Sequence, residues 1–497
     1  MAELTLTGKN PTALKVDALV VGTCKTSDGL AVVADQLPAG LVHQIESLAP
    51  QLGLSGSRDE VRKLPAGDGV KAPVLVLTGL GEREADGTFA AETLRRATGA
   101  AVRELAGTTA VAVALPTSTE DDLAAVVEGA LLGAYSYTEH RTGDVATKQA
   151  PVSSIEVVTG FARSQRANAA VERARVVAEA VHGTRDLVNT PANLLYPASF
   201  AEAAKATAKN LKNVKVTVLD EKQLAAGGYG GLAGVGQGSA RPPRLVKVAY
   251  TPSKPSGHVA LVGKGITFDT GGISIKPAAG MQAMTMDMAG AAAVLHTVAA
   301  AARLGLDVAV TAYLCLAENM PGSNAQRPGD VVTIRGGTTV EVINTDAEGR
   351  LVMADGIVAA IEDGHDTVID IATLTGAAMV ALGTRVSGIF GDRDVRDALV
   401  EAGTVAGETV WPMPIPEEMR PSLKSGVADL ANIAPDRWGG ALVAAAFLKE
   451  FAGDTPWGHL DIAGPAYNEK APYGYTPAGG TGHGVRTLLA YLESRAG

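Results

Sequence analysis

The chain has 497 residues, 46% of them hydrophobic, 19% charged and 4% aromatic, enough for a sizeable core in two to four domains at roughly 100–200 residues each. Forty-three Lys and Arg against 53 Asp and Glu give a formal charge of −10, which argues against general binding to nucleic acid or to an anionic membrane. The two cysteines, Cys24 and Cys315, lie far apart in sequence, so a disulfide framework or a Cys-ligated zinc is not expected and a reducing compartment is.

The N-terminal stretch MAELTLTGKNPTALKVD is polar and lacks the apolar core of a signal peptide. The longest apolar candidate, Met288 to Ala302, is bounded by Asp287 and Arg303 and contains His296. It is shorter than a membrane span needs and reads as a buried helix. The expected location is therefore cytoplasmic.

In the first part of the chain, VDALVVGT (16–23) and PVLVLTGL (73–80) read as strands. TLRRATGAAVRELA (93–106) and DLAAVVEGALLGAYS (122–136) read as helices. This alternation predicts an N-terminal α/β domain over residues 1–165. A helical pattern at 168–188 follows and stops at Asn189-Thr190-Pro191, giving a linker helix over 166–190. The remainder, 191–497, shows strand runs at 214–219, 244–250, 258–263, 307–316, 338–343 and 366–371. Helical runs near 284–304, 351–362 and 438–451 alternate with them. The expected fold is α/β: two α/β domains joined by a long helix, the C-terminal one with a mostly parallel or mixed central sheet flanked by helices.

Several familiar motifs do not hold. Gly79-Leu80-Gly81 follows a strand, but Glu84 stands where a dinucleotide fingerprint needs its third glycine. Five residues, not four, separate Gly257 from Gly263-Lys264, and Gly265 follows where a phosphate loop needs Ser or Thr. GGYGGLAGVGQG (227–238) reads as a flexible or tightly turned loop. Eight histidines form no HExxH pair. Cys315, in VAVTAYLCLA, reads as a buried thiol.

Two segments place charge where hydrophobicity predicts burial. In VALVGKGITFDTGGISIKPAAGMQAMTMDMAGAAAVL (259–295), a strand runs into a glycine-rich loop carrying Lys264, Asp269 and Lys276, and Asp287 opens an apolar helix. In VEVINTDAEGRLVMADGIV (340–358), a strand delivers Asp346, Glu348 and Arg350 at spacings of two, on one side if the chain is extended there. Four carboxylates at strand ends would repel strongly. Two divalent cations about 3.5–4 Å apart would neutralise them. Oxygen ligands suit Mg or Mn, and Zn accepts carboxylates. The competing reading is a buried ion-pair network of Lys264 and Lys276 with Asp269 and Asp287, and of Arg350 with Glu348. Such a network would be costly without a return in stability.

VGKGITFDTGGISIKP and NTDAEGRL resemble the two metal-binding motifs of the cytosolic leucine aminopeptidase family. The similarity continues in ENMPGSNAQRPGDVV (318–332), HLDIAGPAYN (459–468) and YTPAGGTG (475–482), and so covers most of residues 190–497. The chain departs from the family pattern at His483-Gly484, where Val-Pro or similar residues are usual. The resemblance implies a two-metal aminopeptidase using Mn or Zn, with metal ligands at Lys264, Asp269, Asp287, Asp346 and Glu348. Asp269 and Glu348 would bridge the ions, Asp346 would serve the looser one, and Lys264 and Asp287 the tighter. A ligating Lys264 must be neutral. Lys276 and Arg350 fall on the family's catalytic positions: Lys276 for the oxyanion, Arg350 for a bicarbonate acting as general base. Met284, Thr373, Gly376, Ala463 and Ala466 fall on the pocket for the first residue. An uncharged pocket of that kind implies Leu or Met as first residue, tolerance of Phe, and poor use of Asp and Glu. The resemblance also implies a homohexamer acting on peptide substrates. Another dinuclear hydrolase, such as a phosphoesterase, is the alternative chemistry; the Lys ligand and the lack of His ligands count against it. Nucleic-acid binding, a second role of some relatives, is not indicated by the −10 charge.

Overall fold

The computed structural model describes residues 1–27, 29–34 and 36–496. The chain divides into two compact units, Met1–His182 with Asn468–Ala478, and Gly183–Tyr467 with Gly479–Gly497.

The first unit is built on a seven-stranded sheet. Its strands are β1 (Glu3–Thr7), β2 (Ala18–Thr26), β3 (Gly29–Val33), β4 (Val61–Pro65), β5 (Val74–Gly79), β6 (Ala110–Ala114) and β7 (Ser154–Val158). They lie in the order β1-β7-β6-β2-β5-β4, with β3 paired to β2. The middle of the sheet is parallel, and β3 and β4 are antiparallel to their neighbours. The first seven residues of β2 are all buried, as a strand covered on both faces requires. The helices are α1 (Ala39–Leu48), α2 (Ala91–Glu104), α3 (Glu120–Gly133) and α4 (Gly143–Lys148). Thr119 caps α3, its hydroxyl accepting from Asp122 N–H while Asp122 answers to Thr119 N–H. The long helix expected after this unit is α5 (Gln165–Asn189), and the division between units falls within it.

The second unit runs α6 (Pro197–Ala208), β8 (Val214–Leu219), α7 (Glu221–Ala226), α8 (Gly230–Gly236), β9 (Arg244–Tyr250), β10 (His258–Asp269), α9 (Ala289–Leu304) and β11 (Ala309–Asn319). It continues β12 (Asp330–Thr333), β13 (Thr339–Val342), α10 (Gly349–Glu362), β14 (Thr367–Ala372), α11 (Gly376–Leu382), β15 (Ser387–Gly391), α12 (Arg393–Ala406) and β16 (Val410–Pro412). It ends with β17 (Leu430–Ala431), α13 (Gly440–Ala452), β18 (Trp457–Asp461) and α14 (Val485–Arg495). Eight strands form one mixed sheet in the order β16-β15-β18-β14-β10-β11-β9-β8. Its centre, β18-β14-β10-β11, is parallel. The core packs β10, β11 and β14 against α10 and α13 through Val262, Tyr313, Val368, Met353 and Phe447.

The apolar stretch expected as a buried helix is α9, preceded by a short 3-10 turn. Met281–Leu304 is long and apolar enough to cross a membrane, yet 89% of its most apolar window is buried inside the protein.

Two local expectations are corrected. Residues 227–238 are not a loop throughout, because Gly230–Gly236 is helical. A Cβ on Gly230 would lie 2.0 Å from Thr333 O, and one on Gly231 2.2 Å from Leu351 O. The glycines serve close packing of a helix, and tertiary contacts override their low helix propensity. Residues 345–350 are not extended either. Strand β13 ends at Val342, the chain turns, and α10 begins at Gly349. The spacing of two therefore does not align Asp346, Glu348 and Arg350 on one side.

Candidate metal centre

The parallel strands of the second unit end at one edge of their sheet, and the charged residues collect there. Lys264 lies in the middle of β10 and Asp269 ends it. A register shift between Ile266 and Asp269 sets Asp269 opposite Asn319, the last residue of β11. Thr373 follows β14, and Asp461 closes β18. This is the edge at which open α/β sheets take ligands.

The loop after β10 turns back on itself. Gly271 and Gly272 have φ of 87° and 68°, and a Cβ on Gly271 would stand 2.8 Å from Asp346 Oδ1. Only glycine gives both the left-handed turn and the close approach. The turn returns Lys276, whose Nζ lies 2.8 Å from Asp269 Oδ2 and 2.6 Å from Asp346 Oδ1. Asp287 ends the 3-10 turn Met281–Met286, just ahead of α9. Its Oδ1 accepts from Lys264 Nζ at 2.8 Å and from Thr373 Oγ1 at 2.6 Å. Lys264 Nζ also donates to Thr373 O at 3.0 Å and lies 2.9 Å from Glu348 Oε1. One carboxylate oxygen each from Asp269, Asp346 and Glu348 lie within 4.8 Å of one another, a spacing that could hold a metal ion.

Lys264, Asp269, Asp287 and Glu348 are buried, and Asp346 is half-buried. Burial lifts the Glu348 carboxyl to about 8, with the Asp269 charge adding to the effect and Lys264 opposing it. Burial likewise lifts Asp287 to about 6 against the pull of Lys264. For Lys264, burial disfavours the ammonium, but Asp287, Glu348 and Asp269 together outweigh it and hold the amine protonated. Lys276 behaves in the same way, with Asp269 as its main partner. Without metal, two ammonium groups thus stand in for cations among four carboxylates.

They leave atoms unsatisfied. Asp287 Oδ2 and Glu348 Oε2 are buried without a hydrogen-bond partner among the described residues, an arrangement that native proteins keep for a purpose. A donor set of four carboxylates and an amine suits a hard or borderline divalent cation. The residues therefore fit metal ions.

The ion-pair network weighed from the sequence forms for Lys264 and Lys276 but not for Arg350. Among the described residues Arg350 makes no ion pair with Glu348; its Nη1 donates to Asn432 O at 2.8 Å. Its Nε is buried and unpartnered, and burial lowers the guanidinium to about 10.

The five residues expected to receive the first side chain lie on three segments. Gly376 opens α11, and a Cβ added there would meet nothing within 4 Å. Ala463 and Ala466 are buried just past β18. Met284 is half-buried, and its carbonyl accepts from Asp287 N–H at 3.4 Å. Thr373 bonds Asp287 directly.

Three residues that the sequence did not single out hold these parts in place. Asn319 Nδ2 donates to Asp269 Oδ1 at 2.8 Å and to Thr345 O at 3.0 Å. Asn432 Oδ1 accepts from Ile343 N–H at 2.8 Å, and its Nδ2 donates to Asn344 O at 2.7 Å, fixing the turn that carries Asp346. Asp461 accepts from Thr375 Oγ1 at 2.6 Å and from Ala463 N–H at 3.1 Å, tying the segments after β14 and β18 together. Only their place at strand ends in apolar runs could have marked Asn319 and Asp461. At the departure noted above, His483 Nε2 lies 2.5 Å from Ser387 Oγ, away from these ligands in the bonding network.

Comparison with known proteins identifies the family. The profile of the cytosol aminopeptidase family, catalytic domain, matches residues 182–489, and that of the family's N-terminal domain matches residues 20–144. A probable cytosol aminopeptidase of Micrococcus luteus is 52% identical, covering 99% of this chain and 98% of its own. One from Streptomyces avermitilis is 51% identical, covering 100% and 99%. Among solved structures, a bottromycin maturation enzyme in complex with Mn superposes with a TM-score of 0.84 at 37% identity, covering 97% of this chain and 100% of that one. A variant of tomato leucine aminopeptidase gives 0.87 at 30% identity, covering 99% and 97%. The chain belongs to the cytosol aminopeptidase family and is a peptidase that hydrolyses peptides from their N-terminus.

Proposed function

We propose that the enzyme removes apolar first residues, Leu and Met foremost, with two divalent cations held by Lys264, Asp269, Asp287, Asp346 and Glu348. The observation that carries this reading is the convergence of Asp269, Asp346 and Glu348 within 4.8 Å beside the Lys264–Asp287 pair. A relative solved with Mn supports Mn as one usable ion; Zn suits the same ligands. When bound, the two ions supply Lewis acidity that polarises the first peptide carbonyl and acidifies the attacking water. Asp269, which pairs with Lys276, and Glu348, which pairs with Lys264, would be the carboxylates shared by the two ions. To serve as a ligand, Lys264 would have to be neutral, its Nζ supplying a lone pair. Lys276 Nζ, held between Asp269 and Asp346, faces the oxyanion that develops on the carbonyl oxygen. Arg350, with Nε unpartnered, would hold a bicarbonate, which would supply a general base. Met284, Thr373, Gly376, Ala463 and Ala466 receive the first side chain. The enzyme works as a cytoplasmic homohexamer on this reading, which sedimentation velocity decides. Hydrolysis of a leucyl chromogenic amide, with Mn and with a chelator, tests the activity itself. Loss of turnover on chelation and its return with Mn is the expected result, and chelator-resistant turnover would refute the metal assignment.

A further inference from the structure

The first unit has a carboxyl edge of its own. β1, β7, β6 and β2 are parallel neighbours. From β6 the chain crosses to β7 on one side, whereas from β2 it proceeds to β5 on the other. The two connections diverge between β6 and β2, the switch point at which α/β sheets open a crevice. A cavity of about 1140 Å³ lies there, walled by the segments that follow β1, β6 and β7. That is room for a metabolite-sized molecule; ligand pockets run from roughly 300 to 1,000 Å³.

The lining has a definite chemistry. Leu115, Pro116 and Val158 supply an apolar wall. Thr117 Oγ1 donates to Thr159 Oγ1 at 3.1 Å, so two hydroxyls sit side by side. Lys9, Arg83 and Arg163 all line the cavity, and no carboxylate does among the described residues. Lys9 and Arg163 are exposed and have no ion-pair partner among the described residues. Arg83 is steadied by the Gly87 carbonyl at 2.7 Å and by the Phe89 ring at 4.8 Å. In a chain of net charge −10 this is a local reversal of sign. A pocket that focuses positive potential concentrates anions. None of these cations belongs to the metal centre, which lies in the other unit.

We propose that this cleft binds a small organic phosphate, its apolar body against Leu115, Pro116 and Val158 and its phosphate oxygens met by Lys9 and Arg163. A guanidinium and an ammonium with hydroxyl donors nearby match a dianionic phosphate better than a single carboxylate.

The test uses the full-length holoenzyme and three probes: naphthyl phosphate, naphthol and inorganic phosphate, followed by calorimetry at low salt. Naphthyl phosphate should bind, and naphthol should bind about tenfold more weakly, the effect of losing charge-assisted hydrogen bonds. Inorganic phosphate should also bind more weakly, lacking the apolar body. Lys9→Ala with Arg163→Ala should lower naphthyl phosphate affinity by about tenfold or more while leucyl-amide hydrolysis stays unchanged. Gly160→Leu is an independent variant: Gly160 lines the cavity, and a Cβ added there meets nothing within 4 Å. It should block binding without disturbing the fold. No binding at millimolar probe overturns the proposal. So does equal binding of naphthol, or affinity undiminished in both variants, which would put the phosphate at the metal centre instead.

Discussion

Asn319 Nδ2 donates to Asp269 Oδ1 at 2.8 Å, joining the ends of β11 and β10 in register. The same amide donates to Thr345 O, next to Asp346, at 3.0 Å. One side chain therefore touches both site segments, the Asp269 carboxylate directly and the backbone that carries Asp346. Partners of this kind typically govern metal affinity by about 10–100-fold. Asn319→Ala should weaken Mn activation by that factor while the chain stays folded. Titrating activity against free Mn checks it, and an unchanged activation curve would count against the role.

Asp346→Ala and Glu348→Ala should each abolish turnover and bring bound metal below two ions per subunit. Glu348 is the more severe case structurally, because its loss removes one of the two carboxylates paired with the buried Lys264 ammonium. Metal analysis of the purified variants decides the matter; two tightly held ions in either would refute the ligand assignment.

Lys276→Ala should lower kcat by about 10²–10³, as loss of one oxyanion donor does, with metal content intact. Arg350→Ala should also lower kcat, and added bicarbonate should no longer raise the rate. Wild-type kcat in both variants would dismiss these roles.

Much of this centre was legible in the sequence, for a physical reason. Lys264, Asp269 and Asp287 interrupt apolar runs, and charge in a buried strand is expensive enough to demand an explanation. What the sequence hid depends on contacts between distant segments. Asn319 and Asp269 are 50 residues apart, and Asn432 supports Asn344 across 88. A lone Asn at a strand end does not reveal which partner it bonds. At 345–348, spacing alone cannot distinguish a strand from a turn. The helix at Gly230–Gly236 is hidden because its glycines are dictated by Thr333 and Leu351, not by local preference.

Asp355 gives a pH test of stability away from the metal centre. Its Oδ2 accepts from Leu232 N–H and its Oδ1 from Arg335 N–H, both at 2.8 Å. Burial nevertheless raises it to about 7, those donors offsetting only part of the effect. The folded value lies above the unfolded one, so between about pH 4 and 7 the unfolded chain releases this proton first. Its contribution to stability is full below that window and is lost as pH rises through it. Asp355→Asn should remove this slope and leave one buried N–H without an acceptor, at a cost of about 1–3 kcal/mol. Thermal unfolding of both proteins from pH 5 to 8, at fixed concentration, should show curves that converge as pH rises. A constant offset would disprove the linkage.

Specificity should follow from the walls of the first-residue pocket. Thr373, Gly376 and Ala463 stand on two loops that Asp461 ties together. The open space over Gly376 and the small Ala463 and Ala466 leave room for a branched or long apolar side chain. Each methylene buried there contributes about 0.8 kcal/mol. Leu or Met should therefore far exceed Gly, and Phe should be tolerated because Ala466 is small. An acidic first residue would lose its hydration with no cation among the five pocket residues to compensate, and the buried Asp461 carboxylate beside the loops would repel it. The expected order of kcat/KM is Leu or Met well above Gly, with Asp and Glu lowest. Gly376→Phe should fill the open space and compress that order by acting against Leu and Met while leaving Gly nearly unchanged. Amides of these residues compared at fixed Mn decide it; a preference for acidic first residues, or an order untouched by Gly376→Phe, would sink the pocket assignment.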